Sequence, residues 1–252
     1  MFAPEDLSDD KFLMGRLRLL QPLQGYRAAT DPVLLAAACP ARGGESVLDL
    51  GCGAGAAALC LAARVPEVRL WGLERQSAYA ALARQNATRN GIAMLVEEGD
   101  LSDMPRALRI DFDHVISNPP WYPPGGTPSP DAGRAAALQI DTPLADWVAA
   151  ASRRLRSGGW LTLICGVDGL PDLLVGLDKT MGSVSVLPLA AREGRPALRM
   201  ILQARKGGRG PFRLLAPFIL HSGAEHDGDR EAYSPIANAV LRGGEDILSS
   251  FR

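Results

Sequence analysis

The chain has 252 residues, enough for one large α/β domain that buries most of its apolar surface. Apolar residues make up 47% and charged residues 22%, the balance of a soluble globular protein, which excludes a disordered or fibrous chain. The formal net charge of -1 excludes capture of nucleic acid by bulk electrostatics, so any such contact must come from a local patch.

Residues 1–10 are polar and acidic, with no apolar run, and read as a frayed end without a signal peptide. A short strand is expected at Gly15 to Leu20, broken by Gln21-Pro22. Thr30-Asp31-Pro32 reads as a helix start, with Asp31 as the cap and a helix from Val33 to Cys39. From Ser46 the order is regular. Strands are expected at 47–50, 68–73, 93–97, 112–117, 160–165, 184–187 and 197–204. Helices are expected at 56–64, 77–90, 144–155 and 170–179. The Pro- and Gly-rich stretch 122–133 reads as a loop. Alternation of strand and helix predicts a mostly parallel sheet with helices on both faces. Cys39, Cys52, Cys60 and Cys165 have no metal-ligand spacing and read as small buried residues in a reducing compartment. His114, His221 and His226 supply no zinc cluster, so no metal is expected. No segment is long and apolar enough to span a bilayer, so no membrane is expected and the default location is the cytoplasm.

The first strand of the regular series runs into Asp49-Leu50-Gly51-Cys52-Gly53-Ala54-Gly55 and then a helix. In a parallel sheet this turn is the usual nucleotide site, and glycines allow a tight turn and close ligand approach. Gly51, Gly53 and Ala56 also fit the dinucleotide pattern, which keeps a nicotinamide-dependent oxidoreductase open. Asp49, two residues before the first glycine, suits a cationic, amine-bearing ligand better than a pyrophosphate. Glu74 ends the second strand about 20 residues on, where an acid accepts hydrogen bonds from ribose hydroxyls. Asp100, after the third strand, is placed to accept from an adenine amino group, or else serves as a turn residue.

Asn118-Pro119-Pro120-Trp121 ends the fourth strand at the same rim. The prolines stiffen the backbone and remove two donors, leaving the Asn118 side-chain oxygen and the Pro119 carbonyl as acceptors. An exocyclic amine on an aromatic ring is a poor nucleophile because its lone pair is delocalised. Two acceptors on its N–H bonds pyramidalise it and aim the lone pair. The Trp121 ring is suited to stacking on the base.

These two motifs together resemble the Rossmann-like N-methyltransferases that carry an Asn-Pro-Pro-aromatic motif. Residues Gln21 to Leu35, with Gly25-Tyr26-Arg27 and Asp31, are similar to the N-terminal signature of bacterial tRNA adenine-N6 methyltransferases acting beside the anticodon of a valine tRNA. Arg199 to Gly207 and Pro217 to His221 are similar to that family's C-terminal part, and the likeness spans Phe12 to about Leu241. One departure is Trp121, where the family usually has Tyr; Tyr122 stands just behind it. The resemblance implies a class I methyltransferase fold, an α/β domain with a seven-stranded sheet whose last strand is antiparallel. It implies a single structural domain, with 1–40 as a segment covering the cofactor and 41–252 as the Rossmann-like part. It implies S-adenosyl-L-methionine as cofactor, held by Tyr26, Thr30, Asp49, Gly51, Gly53, Gly55, Glu74 and Asp100, and chemistry at Asn118, Pro119, Pro120 and Trp121.

RNA contact is expected from Arg134 and from Arg205, Lys206 and Arg209, with Lys11, Arg16, Arg18 and Arg213 as further candidates. Arg153, Arg154 and Arg156 instead close a helix, where positive charge is favourable. A protein glutamine-N5 methyltransferase is the alternative, since an amide nitrogen is planar too and the pI of about 6.3 suits a neutral partner.

Overall fold

Period-two alternation along the strands sorts the core into two layers. The structure is a computed structural model that describes residues 2–120, 142–223 and 232–251. Two strands, β1 (Leu7–Phe12) and β2 (Leu17–Pro22), form an antiparallel hairpin. After α1 (Asp31–Ala38) come β3 (Ser46–Leu50), α2 (Ala56–Arg64), β4 (Arg69–Glu74), α3 (Ser77–Arg89), β5 (Met94–Glu98) and β6 (Phe112–Ser117). Then follow α4 (Leu144–Arg154), β7 (Leu155–Gly166), α5 (Leu170–Gly176), β8 (Met181–Ala190), β9 (Ala197–Lys206), β10 (Arg213–Leu214), β11 (Phe218–Ile219) and α6 (Pro235–Asn238).

The large sheet runs β10-β8-β9-β7-β6-β3-β4-β5, with β11 also on β8. Its seven long strands are parallel except β9, which is antiparallel to both neighbours. The expected seven-stranded sheet with an antiparallel last strand is therefore present, extended to nine by the two-residue strands β10 and β11. Val47, Ile116, Ile164 and Ile201 pack with α1 and α2 on one face. Their neighbours Leu48, Val115, Leu163 and Leu202 pack with Val148 and Leu173, from α4 and α5, on the other. The chain passes from β3 outward to β4 and β5, then returns to β6 on the opposite side of β3. That reversal opens a crevice beyond the carboxyl ends of β3 and β6.

The N-terminus departs from expectation. Residues 7–10 are paired strand rather than frayed, and β2 runs through Gln21 and Pro22 instead of stopping before them. The side chains of Asn86 in α3 and of its C-terminal cap Asn90 complete the free edge of β2. Asn86 exchanges hydrogen bonds with Leu20 N and O (2.8 and 3.0 Å), and Asn90 does the same with Arg18 (3.0 and 2.9 Å). Four residues of helix and two of strand both advance about 6 Å, so the amides match the ladder. Phe2 packs edge-on against Tyr79. Such pairing is invisible to a reading of polarity alone. Asp31 is the first residue inside α1, and Thr30 is its cap without a side-chain bond. The helix expected to reach Lys179 stops at Gly176, where the backbone lies so close to Ala145 that a Cβ would sit 2.6 Å from its carbonyl oxygen.

Candidate active site

The crevice is a cavity whose lining includes Tyr26, Gly51, Glu74, Asp100, Asn118, Pro119 and Pro120. An inner recess behind it is lined by Asp49, Gly51, Tyr26 and Asn118. The two motifs read from the sequence thus meet at one place, because β3 and β6 are neighbours in the sheet. Ser117 Oγ donates to the Leu50 carbonyl (2.8 Å) and ties the two strand ends together.

Gly51, Gly53 and Gly55 have φ of +71°, +54° and +87°, the left-handed region that favours glycine. Gly51 is also crowded: a Cβ there would lie 2.7 Å from Cη2 of Trp147. The turn's backbone donors are directed inward. Gly51 N and Cys52 N donate to Leu73 O (2.8 and 3.0 Å), Gly53 N to Glu74 Oε2 (2.9 Å) and Gly55 N to Cys52 O (2.8 Å). A dinucleotide site needs such N–H groups for its pyrophosphate. Here the N–H groups of Gly51, Cys52, Gly53 and Gly55 are already used, which weighs against a pyrophosphate seated on the glycine turn itself.

Three carboxylates replace them. Glu74 is buried and pinned by Gly53 N and Gln76 N (2.9 and 2.8 Å), leaving lone pairs toward the cavity. Burial pushes its carboxyl up, against the pull of these N–H bonds. Asp49 is 2% exposed and accepts one bond, from Ala58 N at the start of α2 (3.3 Å). Burial pushes it up to about 7, and the charge of Glu74 adds to this. Asp100 lines the cavity, while its Oδ1 accepts from Ser102 Oγ and N (2.6 and 2.8 Å), so the turn role and the site position coexist. The Ser102 hydroxyl and N–H hold it below the usual carboxylate range.

Asn118 Nδ2 donates to Tyr26 Oη (2.9 Å), which leaves Oδ1 to accept from a substrate. Pro119 and Pro120 line the cavity beside it. Trp121, Tyr122 and Arg134 lie outside the described residues. Thr30, Gly53 and Gly55 are not part of the described lining; the two glycines shape the turn, and Thr30 O closes the first turn of α1 by accepting from Leu34 N.

Sequence reasoning missed Tyr79 and Trp147, both in the cavity wall. Tyr79 looked like an ordinary aromatic of a helix, and Trp147 like the apolar face of an amphipathic one. It also missed the Asp31–Arg199 ion pair (3.0 Å) at the cavity wall. Of the basic residues expected to contact RNA, Arg205, Lys206 and Arg209 lie away from the cavity rim. Arg205 pairs with Trp160 and Arg199 with Gly166, so Arg205 and Lys206 sit at the opposite end of β7, about 20 Å from the rim. Arg205 donates to Gly158 O and lies over the Trp160 ring, while Lys206 Nζ caps α4 through Ser152 O and Leu155 O. Arg209 follows them on that side. Arg16 is bonded to Gly243 O, Arg18 to Asp9, and Arg213 to Ser185 and Phe251 O. Burial pushes the Cys39, Cys60 and Cys165 thiols up to about 12, which keeps them unreactive. Among the described residues there is no cluster suited to a metal ion, and no helix is long and apolar enough to cross a membrane.

Residues 29–188 match the family model of the methyltransferase small domain. The tRNA1(Val) (adenine(37)-N6)-methyltransferase of Actinobacillus succinogenes is 28% identical, over 77% of this chain and 83% of its own. The protein of the same name from Porphyromonas gingivalis is 34% identical, over 65% of this chain and 68% of its own. Among solved structures, a protein of Agrobacterium tumefaciens described as a predicted O-methyltransferase matches with a TM-score of 0.69 and 27% identity, covering 86% of this chain and 97% of its own.

Proposed function

The chain belongs to the methyltransferase small-domain family and is an S-adenosylmethionine-dependent methyltransferase, and from that premise we propose that it methylates the N6 amine of an adenine in tRNA. The observation that carries this reading is that Asn118-Pro119-Pro120 opens onto the cavity that Glu74 and Asp100 also line, with Asp49 in the recess behind. Relatives named for adenine-N6 methylation of a valine tRNA support the choice of substrate.

The donor set fits the cofactor. Three acids around a cavity where the Gly51, Cys52, Gly53 and Gly55 N–H groups are internally used suit a ligand that brings a cation and hydroxyl donors. When bound, S-adenosylmethionine supplies a methyl group on a positively charged sulfur, open to attack by a nitrogen lone pair. Glu74 receives the ribose hydroxyls, Asp100 the adenine amino group and Asp49 the ammonium end. Asn118 Oδ1 and the Pro119 carbonyl accept the two N–H bonds of the target amine and turn its lone pair out of the ring plane. Trp121 stacks on the target base once it is flipped from its neighbours. Rigid placement replaces a strong base as the source of rate. The segment 1–40 covers the cofactor, as the presence of Tyr26 and Asp31 in the wall supports. The enzyme works in the cytoplasm, where its tRNA substrate is.

The test is methyl transfer to transcribed valine tRNA from labelled cofactor, followed by nucleoside analysis. The expected product is N6-methyladenine. Asn118→Ala should slow transfer about a hundredfold, the scale for losing one preorganised hydrogen-bonding partner, while S-adenosylhomocysteine still binds. Label in a cell extract that survives RNase would favour the glutamine-amide reading instead.

A further inference from the structure

We infer that Tyr26 is a positioning residue: its phenol oxygen holds the Asn118 amide so that Oδ1, not Nδ2, faces the substrate amine, and Tyr79 holds Tyr26 in place. The inference rests on the reading that Asn118 accepts from the target amine.

An asparagine amide has two ends of similar shape and opposite hydrogen-bonding sense. Only the oxygen end serves an N–H donor. A free side chain would present either end, and half of the encounters would meet N–H with N–H. In the structure Nδ2 is engaged by Tyr26 Oη at 2.9 Å, which leaves the oxygen end for the cavity. A phenol both donates and accepts, but here the Asn118 Nδ2 group is the donor and Oη the acceptor, so the phenol lone pair is the feature that fixes the nitrogen end of the amide. Burial, with the charges of Asp31 and Asp49, pushes the phenol further above its ordinary value, so it keeps its proton at any working pH.

Tyr26 is itself held by its backbone. Tyr79 Oη accepts from Tyr26 N (2.9 Å) and donates to Tyr26 O (3.1 Å), so one hydroxyl satisfies both polar groups of a single residue. Tyr79 is 4% exposed and rooted in α3. Gly25 makes the approach possible: at φ +114° it carries no Cβ, which would otherwise lie 2.8 Å from that hydroxyl. The order Tyr79, Tyr26, Asn118 thus transmits the rigidity of α3 to the end of β6.

The experiment compares Tyr26→Phe, Asn118→Ala and the double variant, with Tyr79→Phe as a second way to loosen Tyr26. Single-turnover methyl transfer, KM for tRNA, S-adenosylhomocysteine affinity and melting temperature are measured for each. Tyr26→Phe, which keeps the ring that walls the cofactor cavity, should lower kcat about tenfold, about 1.4 kcal/mol, with KM and affinity unchanged. Tyr79→Phe should lower kcat in the same direction. In the Asn118→Ala background, Tyr26→Phe should have no further effect. The inference is overturned if kcat of Tyr26→Phe equals that of the parent. It is overturned equally if the loss appears in cofactor affinity, or if the two losses multiply. Should Asn118→Ala itself turn over like the parent, it is the role of Asn118 that fails, and the two failures are told apart.

Discussion

At the end of the sheet away from the cavity, Asp113 accepts from both the N–H and the hydroxyl of Ser46 (2.7 Å each) and pairs with Arg156. His114 Nε2 meets Glu45 at 2.8 Å, Arg205 reaches Gly158 O, and Lys206 caps α4. Burial lowers the His114 pKa, so the ring is neutral, and its Nδ1, like Arg64 Nε and Thr162 Oγ1, is a buried atom without a hydrogen-bond partner among the described residues. At the cavity end the same kinds of residue are left unfinished. Asp49 is buried on a single 3.3 Å bond, Asp100 commits Oδ1 to Ser102 while lining the cavity, and Asn118 offers its oxygen end. Charge alone therefore does not mark function in this molecule. Hydrogen-bonding capacity left over beside a cavity is what sets the candidate site apart, because an unsatisfied buried polar group is costly and a ligand can complete it.

That contrast is open to direct attack. Gly51→Ala tests the crowded turn at the cavity end: an L side chain at φ +71° is strained by about 1–2 kcal/mol, and its Cβ would press on Trp147. Equilibrium dialysis should show S-adenosylhomocysteine affinity falling at least about tenfold; unchanged binding would mean that the turn is not the cofactor site.

A pH series on Asp49 sharpens the comparison. Its carboxyl is raised from 3.8 to about 7, so the folded protein keeps a proton that the unfolded chain releases. Stability from this group is therefore lost as pH rises from about 4 to 7, and Asp49→Asn should melt higher than the parent at pH 8. A cationic ligand favours the ionised form, so cofactor affinity should tighten by several-fold between pH 6 and 8 in the parent and stay flat in Asp49→Asn. Calorimetry at the two pH values decides this.

The far end should behave in the opposite way. Asp113→Ala strips both bonds from Ser46 and should cost about 2 kcal/mol of stability, read by denaturant unfolding, with kcat per folded molecule within twofold. Arg205→Ala should have the smallest effect, less than about threefold on KM for tRNA, since its head serves Gly158 O and the Trp160 ring. A tenfold rise would bring that end of the sheet back into substrate binding.

Much of the fold was legible because it rests on short-range periodicity. The helix 56–64 and the strands at 47–50 and 112–117 follow from runs whose neighbours in sequence are also neighbours in the layer. The hairpin β1–β2 was not legible. Ser8, Asp9, Asp10 and Lys11 look like a solvated tail, and they become strand only because β2 pairs with them and Asn86 and Asn90 complete its other edge. In the site, Asp49, Gly51, Glu74, Asp100 and Asn118 stood out because each ends or follows a strand of a parallel series. Tyr79 and Trp147 did not, because nothing local distinguishes a helix aromatic facing a cavity from one facing the core.

By itself the amino-acid sequence determined the alternating strands and helices, the left-handed glycine turn and the stiff Asn-Pro-Pro corner, since each depends on backbone chemistry within a few residues. The tertiary structure decided which groups meet. Tyr26 reaches Asn118 across 92 residues of chain. The antiparallel insertion of β9 brings Arg199 to the rim and sends Arg205 and Lys206 away from it. Strand direction is a property of pairing, and pairing is settled between segments far apart in sequence.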